Sequence, residues 1–291
     1  MTPRVYIVIL NFNNWDDSLE CLDSCARLTY DNRRLLLIDN GSREDRSWEV
    51  LERYPEVELV MSVANRGFAG GCNLGIELAL ARGADLVWLL NNDTVVEADS
   101  LARLVVDLPD DAGIVSPKIY YYGTREIWSS GGYFNKTAMA VNYTYDREGT
   151  DEVGFVTGCA MLIPARIFRE YGLLKEEYFL NVEDWEICRR LTRGGKKIYV
   201  IGGSVIYHKV SRSKQGVASP LDVYYTVRNR LYFIDEYYSG AQRLCLRTLF
   251  TLWWPIWLVK NLIAGQGAIV GPFLHGIHDY LRGRRGGCDR Y

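Results

Sequence analysis

Val5-Tyr6-Ile7-Val8-Ile9-Leu10 runs without a polar break and stops at Asn11-Phe12-Asn13. An unbroken apolar run of this kind predicts a strand covered on both faces, because a half-exposed strand alternates polar with apolar. Working outward, Trp15 to Leu28 sets Leu19, Leu22 and Cys25/Ala26 at helical spacing. Leu35-Leu36-Leu37-Ile38 repeats the buried-strand pattern and halts at Asp39-Asn40-Gly41-Ser42. A helix over Asp45–Tyr54 ends at Pro55, and Val57–Met61 predicts a third strand. Asn65-Arg66-Gly67-Phe68-Ala69-Gly70-Gly71 reads as a Gly-rich loop leading into a helix over Cys72–Ala81. Leu86-Val87-Trp88-Leu89-Leu90 is the fourth strand and breaks off at Asn91-Asn92-Asp93. Strand-helix alternation predicts an α/β fold, with a mostly parallel sheet and helices on both faces.

Such sheets bind ligands beyond the carboxyl ends of their strands. The polar clusters sit there: Asn11/Asn13, Asp39/Asn40, Asn65 to Gly71, and Asn91 to Asp93. One cluster alone would be ordinary turn chemistry, since Asn, Asp and Gly are what turns prefer. Four clusters at four strand ends point to a ligand site. Asp39 or Asn40 could bond a base or ribose edge, and the Asn65–Gly71 loop could bring backbone N–H groups against a diphosphate at a helix N-terminus. Neither G-x-G-x-x-G after the first strand nor G-x-x-x-x-G-K-[ST] is present, which counts against a dinucleotide oxidoreductase and a P-loop NTPase.

The middle third predicts a strand at Ile114–Lys118, an irregular Gly- and Tyr-rich hairpin over Glu126–Tyr145, and a strand over Gly154–Ile163 stopped by Pro164. A short helix from Pro164 to Tyr171 follows. Val182-Glu183-Asp184-Trp185-Glu186-Ile187 starts another helix; acids there complement the helix dipole, which explains Glu183 and Asp184 as well as chemistry does when they are seen alone. Lys197–Ile201 is a strand and Gly202-Gly203 a turn. His208 follows, the first histidine of the chain, and a lone histidine is more often packed than ligating. Together the pieces point to more. Asp93 offers a hard oxygen at a strand end, His208 could complete coordination of Mn²⁺ or Mg²⁺, and Asp184 could deprotonate an acceptor hydroxyl.

Composition bounds the class. With 48% apolar and 24% charged residues, the 291-residue chain is a folded globular protein, long enough for one large domain or two small ones. A net charge of −2 gives no global attraction to nucleic acid. Seven scattered cysteines without a CxxC pair favour neither a disulfide framework nor a zinc-thiolate cage. The apolar stretch after Met1-Thr2-Pro3-Arg4 is too short for a signal-peptide core, so the expected compartment is cytoplasmic and reducing.

Several segments resemble the family 2 glycosyltransferases of GT-A (Rossmann-like, nucleotide-diphospho-sugar) fold, in their bacterial rhamnosyltransferase-like branch. They are Ile7 to Asn13, Ile38 to Ser42, Asn65 to Asn73, Leu89 to Asp93, Phe155 to Ala160, Glu183 to Glu186 and Tyr207 to Lys209, continued by Ser219-Pro220, Tyr224-Tyr225 and Arg228-Asn229-Arg230. The resemblance covers about residues 4 to 235. It implies a hexosyltransferase-type enzyme that inverts the sugar's configuration, with a dTDP- or UDP-linked nucleotide sugar as donor and Mn²⁺ or Mg²⁺ as cofactor. Asn91-Asn92-Asp93 stands where the family has its DxD motif, with Asn at two of three positions. Asp93 would be the metal ligand and His208 its distant partner. Asp184 would be the catalytic base, supported by Glu183 and Glu186. Leu10, Asn11, Phe12 and Asn13, Asp39 and Asn40 facing the base, and Asn65, Gly67 and Asn73 of the nucleotide loop would bind the donor along with Asn91 and Asn92.

The tail changes character. Leu249 to Val259 is apolar and Trp-rich, Lys260 interrupts, and a second run covers Leu262–Leu274. Neither reaches the ~20 apolar residues of a spanning helix, and Pro255 would kink one. From Ala241 onward there are seven Lys/Arg and two Asp, the setting for a segment lying in the headgroup region. A hairpin packed on the catalytic domain, or a dimer interface, is the alternative. The expected organisation is a nucleotide-sugar half at 1–110, an acceptor and catalytic half at 111–215, and a helical, membrane-surface segment at 216–291. The expected function is transfer of L-rhamnose from dTDP-rhamnose to a saccharide, polyprenyl-diphosphate-linked, in cell-wall, lipopolysaccharide or O-antigen polysaccharide synthesis at the inner face of the cell membrane. UDP-Gal, UDP-GlcNAc and UDP-Galf stay open as donors, and so does a nucleotide-sugar-binding protein without transferase activity. A nucleotidyltransferase would need an early Gly-rich loop with Arg and Lys, and Leu10–Asp17 has neither.

Overall fold

A computed structural model of the chain describes residues 2–210, 219–288 and 290. The first half alternates β1 (Val5–Asn11), α1 (Trp15–Ala26), β2 (Arg33–Asp39), α2 (Ser47–Arg53), β3 (Glu58–Met61), α3 (Gly67–Ala81), β4 (Leu86–Asn91), β5 (Thr94–Val96) and α4 (Ser100–Val106). Then come β6 (Ala112–Tyr121), β7 (Ile127–Ser129), β8 (Gly132–Phe134), β9 (Ala140–Asn142), β10 (Thr150–Val153), β11 (Ala160–Pro164), α5 (Ala165–Tyr171), α6 (Glu183–Arg193) and β12 (Lys197–His208). Three helices close the chain: α7 (Pro220–Tyr237), α8 (Gly240–Ile263) and α9 (Val270–Leu281).

The central sheet has the order β10-β12-β6-β11-β4-β1-β2-β3. The first four strands of the alternation are parallel, β3-β2-β1-β4. Beyond them the sheet is mixed: β11 is antiparallel to β4, and β12 runs parallel to β6. β1 shows why its sequence never alternates. Val5, Ile7 and Ile9 belong to the core on one face, while Tyr6 and Val8 belong to the core on the other. Burying each such side chain contributes about 1.5–3 kcal/mol, so the run holds the centre of the sheet.

Four stretches differ from the sequence expectation, two of them for a visible tertiary reason. α3 starts at Gly67, five residues before Cys72, so the Gly-rich stretch is helix and not loop. Its glycines permit contact with the sheet: a Cβ on Gly75 would lie 2.3 Å from Val8 Cγ1. Close packing here overrides poor helix propensity. β12 runs on through Gly202-Gly203 as one strand, with a register shift against β6 between Ile201 and Val205. Gly202 N–H donates to Gly149 O at 2.8 Å, and a Cβ there would strike the Arg147 carbonyl. Of the stretch 154–163 only Ala160 onward is strand in β11. α8 is one 24-residue helix that includes Pro255. Among the described residues no helix is long and apolar enough to cross a membrane. The expected boundary at 215/216 lies outside the described residues.

Candidate active site

The strand-end polar groups divide into two sets. The first is knotted to itself. Asn11, fully buried at the end of β1, donates from Nδ2 to Asp39 Oδ1 (2.7 Å) and Ser42 Oγ (3.2 Å), and its Oδ1 accepts from Ser18 Oγ (2.9 Å) and Asn92 Nδ2 (3.4 Å). Asp39 also accepts from Ser42 N–H (3.0 Å) and Ser42 Oγ (2.5 Å). Asn40 Nδ2 donates to Asn65 Oδ1 (3.0 Å) and Gly67 O (2.9 Å), while its Oδ1 accepts from Arg66 N–H (3.0 Å). Asn73 clasps the backbone of Leu174 in both directions, at 2.9 and 3.0 Å. Asn13 Oδ1 accepts from Arg43 N–H (2.8 Å), Leu10 packs under Gly71, and Phe12 is exposed.

Protein groups therefore occupy the polar atoms of Asp39 and Asn40, where the expectation had them facing a base. The helix N-terminus expected to receive a diphosphate is spent as well. Gly67 N–H donates to Asn65 Oδ1 (2.8 Å), and Phe68 N–H and Ala69 N–H both donate to Phe179 O (2.6 and 3.4 Å). Gly67 is required at this meeting point: its φ is +72°, and a Cβ would sit 2.4 Å from Phe179 O.

The second set lines a cavity of about 340 Å³ with bonding capacity left over. It gathers Asn91 and Asp93 from the end of β4, Gly158 and Cys159 from the turn before β11, Glu183 and Asp184 from the start of α6, and His208 from the end of β12. Sheet pairing makes the meeting inevitable. Asn91 N–H donates to Cys159 O (2.9 Å), and the β5–β12 register sets His208 opposite Thr94, beside Asp93. Asp93 and Asp184, 91 residues apart in sequence, thus share one wall-to-wall space. Four buried polar atoms here have no hydrogen-bond partner: Asn91 Oδ1, Asp93 Oδ1, Glu183 Oε2 and His208 Nδ1.

His208 Nε2 lies 3.1 Å from Asp93 Oδ1, at ion-pair distance but without hydrogen-bond alignment. Burial opposes charge on His208, while Cys159 and Asp93 favour it, and the balance pushes its pKa up to about 10. Burial likewise works against an ionised Asp93, but His208 outweighs it and holds the carboxyl below its usual range. A carboxylate, a carboxamide oxygen and an imidazole that gives up its proton as the cation binds suit a divalent ion such as Mn²⁺ or Mg²⁺. Among the described residues no group of three or more His, Cys, Asp or Glu side chains could hold a metal alone. The donors fit a cation whose remaining ligands come from a substrate.

Across the cavity, Asp184 accepts from Gly158 N–H (3.1 Å) and Trp185 N–H (2.9 Å). Burial raises its pKa to about 6 against the pull of those N–H groups. Glu183 is pushed well above the carboxylate range by burial and by the adjacent Asp184. Burial thus works against charge on both acids and more heavily on Glu183, the kind of split that separates acid and base roles.

The loop before α6 is strained. Phe179, Asn181 and Val182 all have positive φ, at 63°, 64° and 75°. Such residues cost about 1–3 kcal/mol each and persist only where neighbours over-determine them. Asn229 of α7 does so: its Nδ2 donates to Tyr178 O (2.6 Å), Leu180 O (2.9 Å) and Asn181 O (2.9 Å). Sequence reasoning quoted Asn229 within a motif without finding this clasp, and it gave no part to Trp128, whose ring packs edge-on to His208 at 4.5 Å. Asn181 and Asp222, also on the cavity wall, went unread. Their signal lies in contacts across 40 residues or more, which spacing does not carry.

A sheet of this order with carboxylates beyond its strand ends is the arrangement of GT-A glycosyltransferases. Residues 6–172 match the model of glycosyl transferase family 2, more than half of the chain, and the chain belongs to that family. It is a glycosyltransferase enzyme. It is 26% identical over 276 residues to the N-acetylglucosaminyl-diphospho-decaprenol L-rhamnosyltransferase of Mycobacterium tuberculosis, covering 85% of this chain and 89% of that one. It is 22% identical to the dTDP-rhamnosyl transferase RfbF of Shigella flexneri, covering 79% of each. A crystal structure of GalNAc-T7 with UDP, GalNAc and Mn²⁺ shares the fold at a TM-score of 0.65 and 17% identity, covering 80% of this chain. The chain spans about half of that structure, 48%.

Proposed function

We propose that the enzyme transfers a hexose, L-rhamnose from dTDP-rhamnose, with inversion, to a polyprenyl-diphosphate-linked saccharide at the cytoplasmic face of the cell membrane, in synthesis of a cell-wall or O-antigen polysaccharide. The observation that carries the reaction is the cavity with Asn91, Asp93 and His208 on one side, Glu183 and Asp184 on the other, and four unsatisfied polar atoms between them. The rhamnosyltransferase relatives support the sugar and the lipid-linked acceptor. In this reading residues 1–110 hold the donor, 111–215 complete the cavity and 216–291 meet the membrane.

Asp184 takes the proton of the acceptor hydroxyl as that oxygen attacks the anomeric carbon and the nucleoside diphosphate leaves. The N–H groups of Gly158 and Trp185 hold the carboxylate in position, and burial works against a second negative charge on the neighbouring Glu183. Asp93 and His208 would hold Mn²⁺ or Mg²⁺, with Asn91 Oδ1 beside them. The cation, when bound, supplies positive charge for the leaving diphosphate.

The test is thermal stabilisation by dTDP and UDP, each with and without Mn²⁺, on wild type and Asp93→Ala. A ligand at 100 times its Kd stabilises the native state by about 2.7 kcal/mol. A metal-dependent shift in wild type that vanishes in Asp93→Ala is the expected result. An undiminished Mn²⁺ effect in the variant overturns the ligand assignment, and no shift with either nucleotide overturns the donor site.

A further inference from the structure

A second groove opens beside the cavity, between α7, α8 and α9, with a volume of about 200 Å³. Phe250, Trp253, Trp254 and Trp257 of α8 and Phe273 of α9 form its walls, and Arg230 of α7 lies among them. Trp254 packs on Phe273 with ring centroids 4.0 Å apart. Arg230 is only 6% exposed, yet no carboxylate pairs with it among the described residues. Its Nη2 donates to Thr137 O (2.7 Å), its charge lies 5.1 Å from the centre of the Phe250 ring, and its Nε is buried without a partner. Burial lowers its pKa to about 10.

A buried, uncompensated guanidinium is costly, because buried charges are ordinarily paired, and an anion entering the groove would supply the missing partner. The aromatic walls ask for the opposite chemistry. One occupant satisfies both demands: an anion attached to a hydrocarbon. Two further features say where it comes from and where it leads. Trp253 belongs both to the groove and to the exposed face of α8, which continues in Leu252, Ile256, Val259 and Ile263, four apolar residues at helical spacing. At the other end, Asp222 lines this groove and the catalytic cavity alike.

We propose that this groove seats the lipid of the acceptor, a prenyl chain against Trp253, Trp254 and Trp257 with its phosphate or diphosphate on Arg230, so that the attached sugar passes Asp222 into the cavity that holds Asp184. The inference rests on the transferase reading above and adds the place and polarity of the acceptor.

Calorimetric titration of the full chain with geranylgeranyl diphosphate, geranylgeraniol and inorganic diphosphate tests it, on wild type, Arg230→Gln and Trp253→Ser. Wild type binds geranylgeranyl diphosphate at least about tenfold more tightly than either fragment, as expected for two sites used at once. Arg230→Gln erases the advantage over geranylgeraniol, and Trp253→Ser, a change at a half-exposed position, weakens both prenyl ligands. Inorganic diphosphate binding as tightly as the prenyl diphosphate overturns the proposal, and so does unchanged affinity in both variants. The dTDP- or UDP-induced thermal shift, run on the same three proteins, reports that each is folded. Its absence in wild type overturns the transferase reading, while the prenyl titration still judges the groove by itself.

Discussion

The knot around Asn11 and the cavity around Asp93 are built from the same residue types, at neighbouring strand ends, and they behave in opposite ways. In the knot the amides and carboxylates have protein partners: Asn11, Asp39 and Ser42 bond one another, and Asn40 bonds the Asn65–Gly67 turn. In the cavity Asn91, Asp93, Glu183 and His208 each keep a buried atom unbonded. The two clusters differ in how far protein partners take up their bonding capacity. The cavity is set apart by having four unbonded buried atoms, from Asn91, Asp93, Glu183 and His208, gathered in one space, since buried polar groups usually find partners.

The comparison can be broken most directly at Asp184. Asp184→Asn should lower turnover by about 10²- to 10⁴-fold, the usual worth of a general base, while the nucleotide-induced thermal shift persists. Retained turnover would move the base elsewhere. In the knot the expected damage is to stability. Asp39→Ala strands Asn11 Nδ2 and the Ser42 N–H, and each buried donor left unpaired costs about 1–3 kcal/mol in urea unfolding. An Asp39→Ala protein of wild-type stability that no longer answers to nucleotide would place Asp39 with the cavity instead.

The smallest effect is a pH dependence with two signs. Asp184 has a folded-state pKa of about 6 against an ordinary 3.8, so the native state binds its proton more tightly than the unfolded chain does. Its contribution to stability is fully present below pH 3.8 and is lost as pH rises through about 6. Turnover runs the other way, rising through the same window as the base ionises. Urea unfolding across this range should show wild type losing stability relative to Asp184→Asn as pH rises; parallel curves would refute the raised pKa.

Much of the first half was legible because burial on both faces writes itself as unbroken apolar runs: Val5 to Leu10, Leu35 to Ile38 and Leu86 to Leu90 all became central strands. The cavity residues were legible too, since Asp93, Asp184 and His208 stand out by type and by motif. Partnership was not. Nothing local in Asn40 tells whether its amide meets a ligand or Gly67 O, because the answer depends on a turn 25 residues on. The Gly-rich start of α3 misled for a related reason: glycine there serves contact with Leu10 and Phe179, and local propensity knows nothing of either. β12 carries Gly202 because the backbone at 147–149 presses against it from outside the strand, while Gly203 faces the Arg103 side chain.

The clasp by Asn229 has a consequence in the order of synthesis. A ribosome releases the stretch 6–172 that matches the family first, then both acids of α6, then β12. The side chain that holds their strained loop arrives nearly 50 residues later, on a helix outside the matched stretch. Domains fold as they emerge, so the sheet can be complete while the loop is still unset. The strained loop beside Asp184 thus gains its clasp from Asn229 only once α7 has emerged.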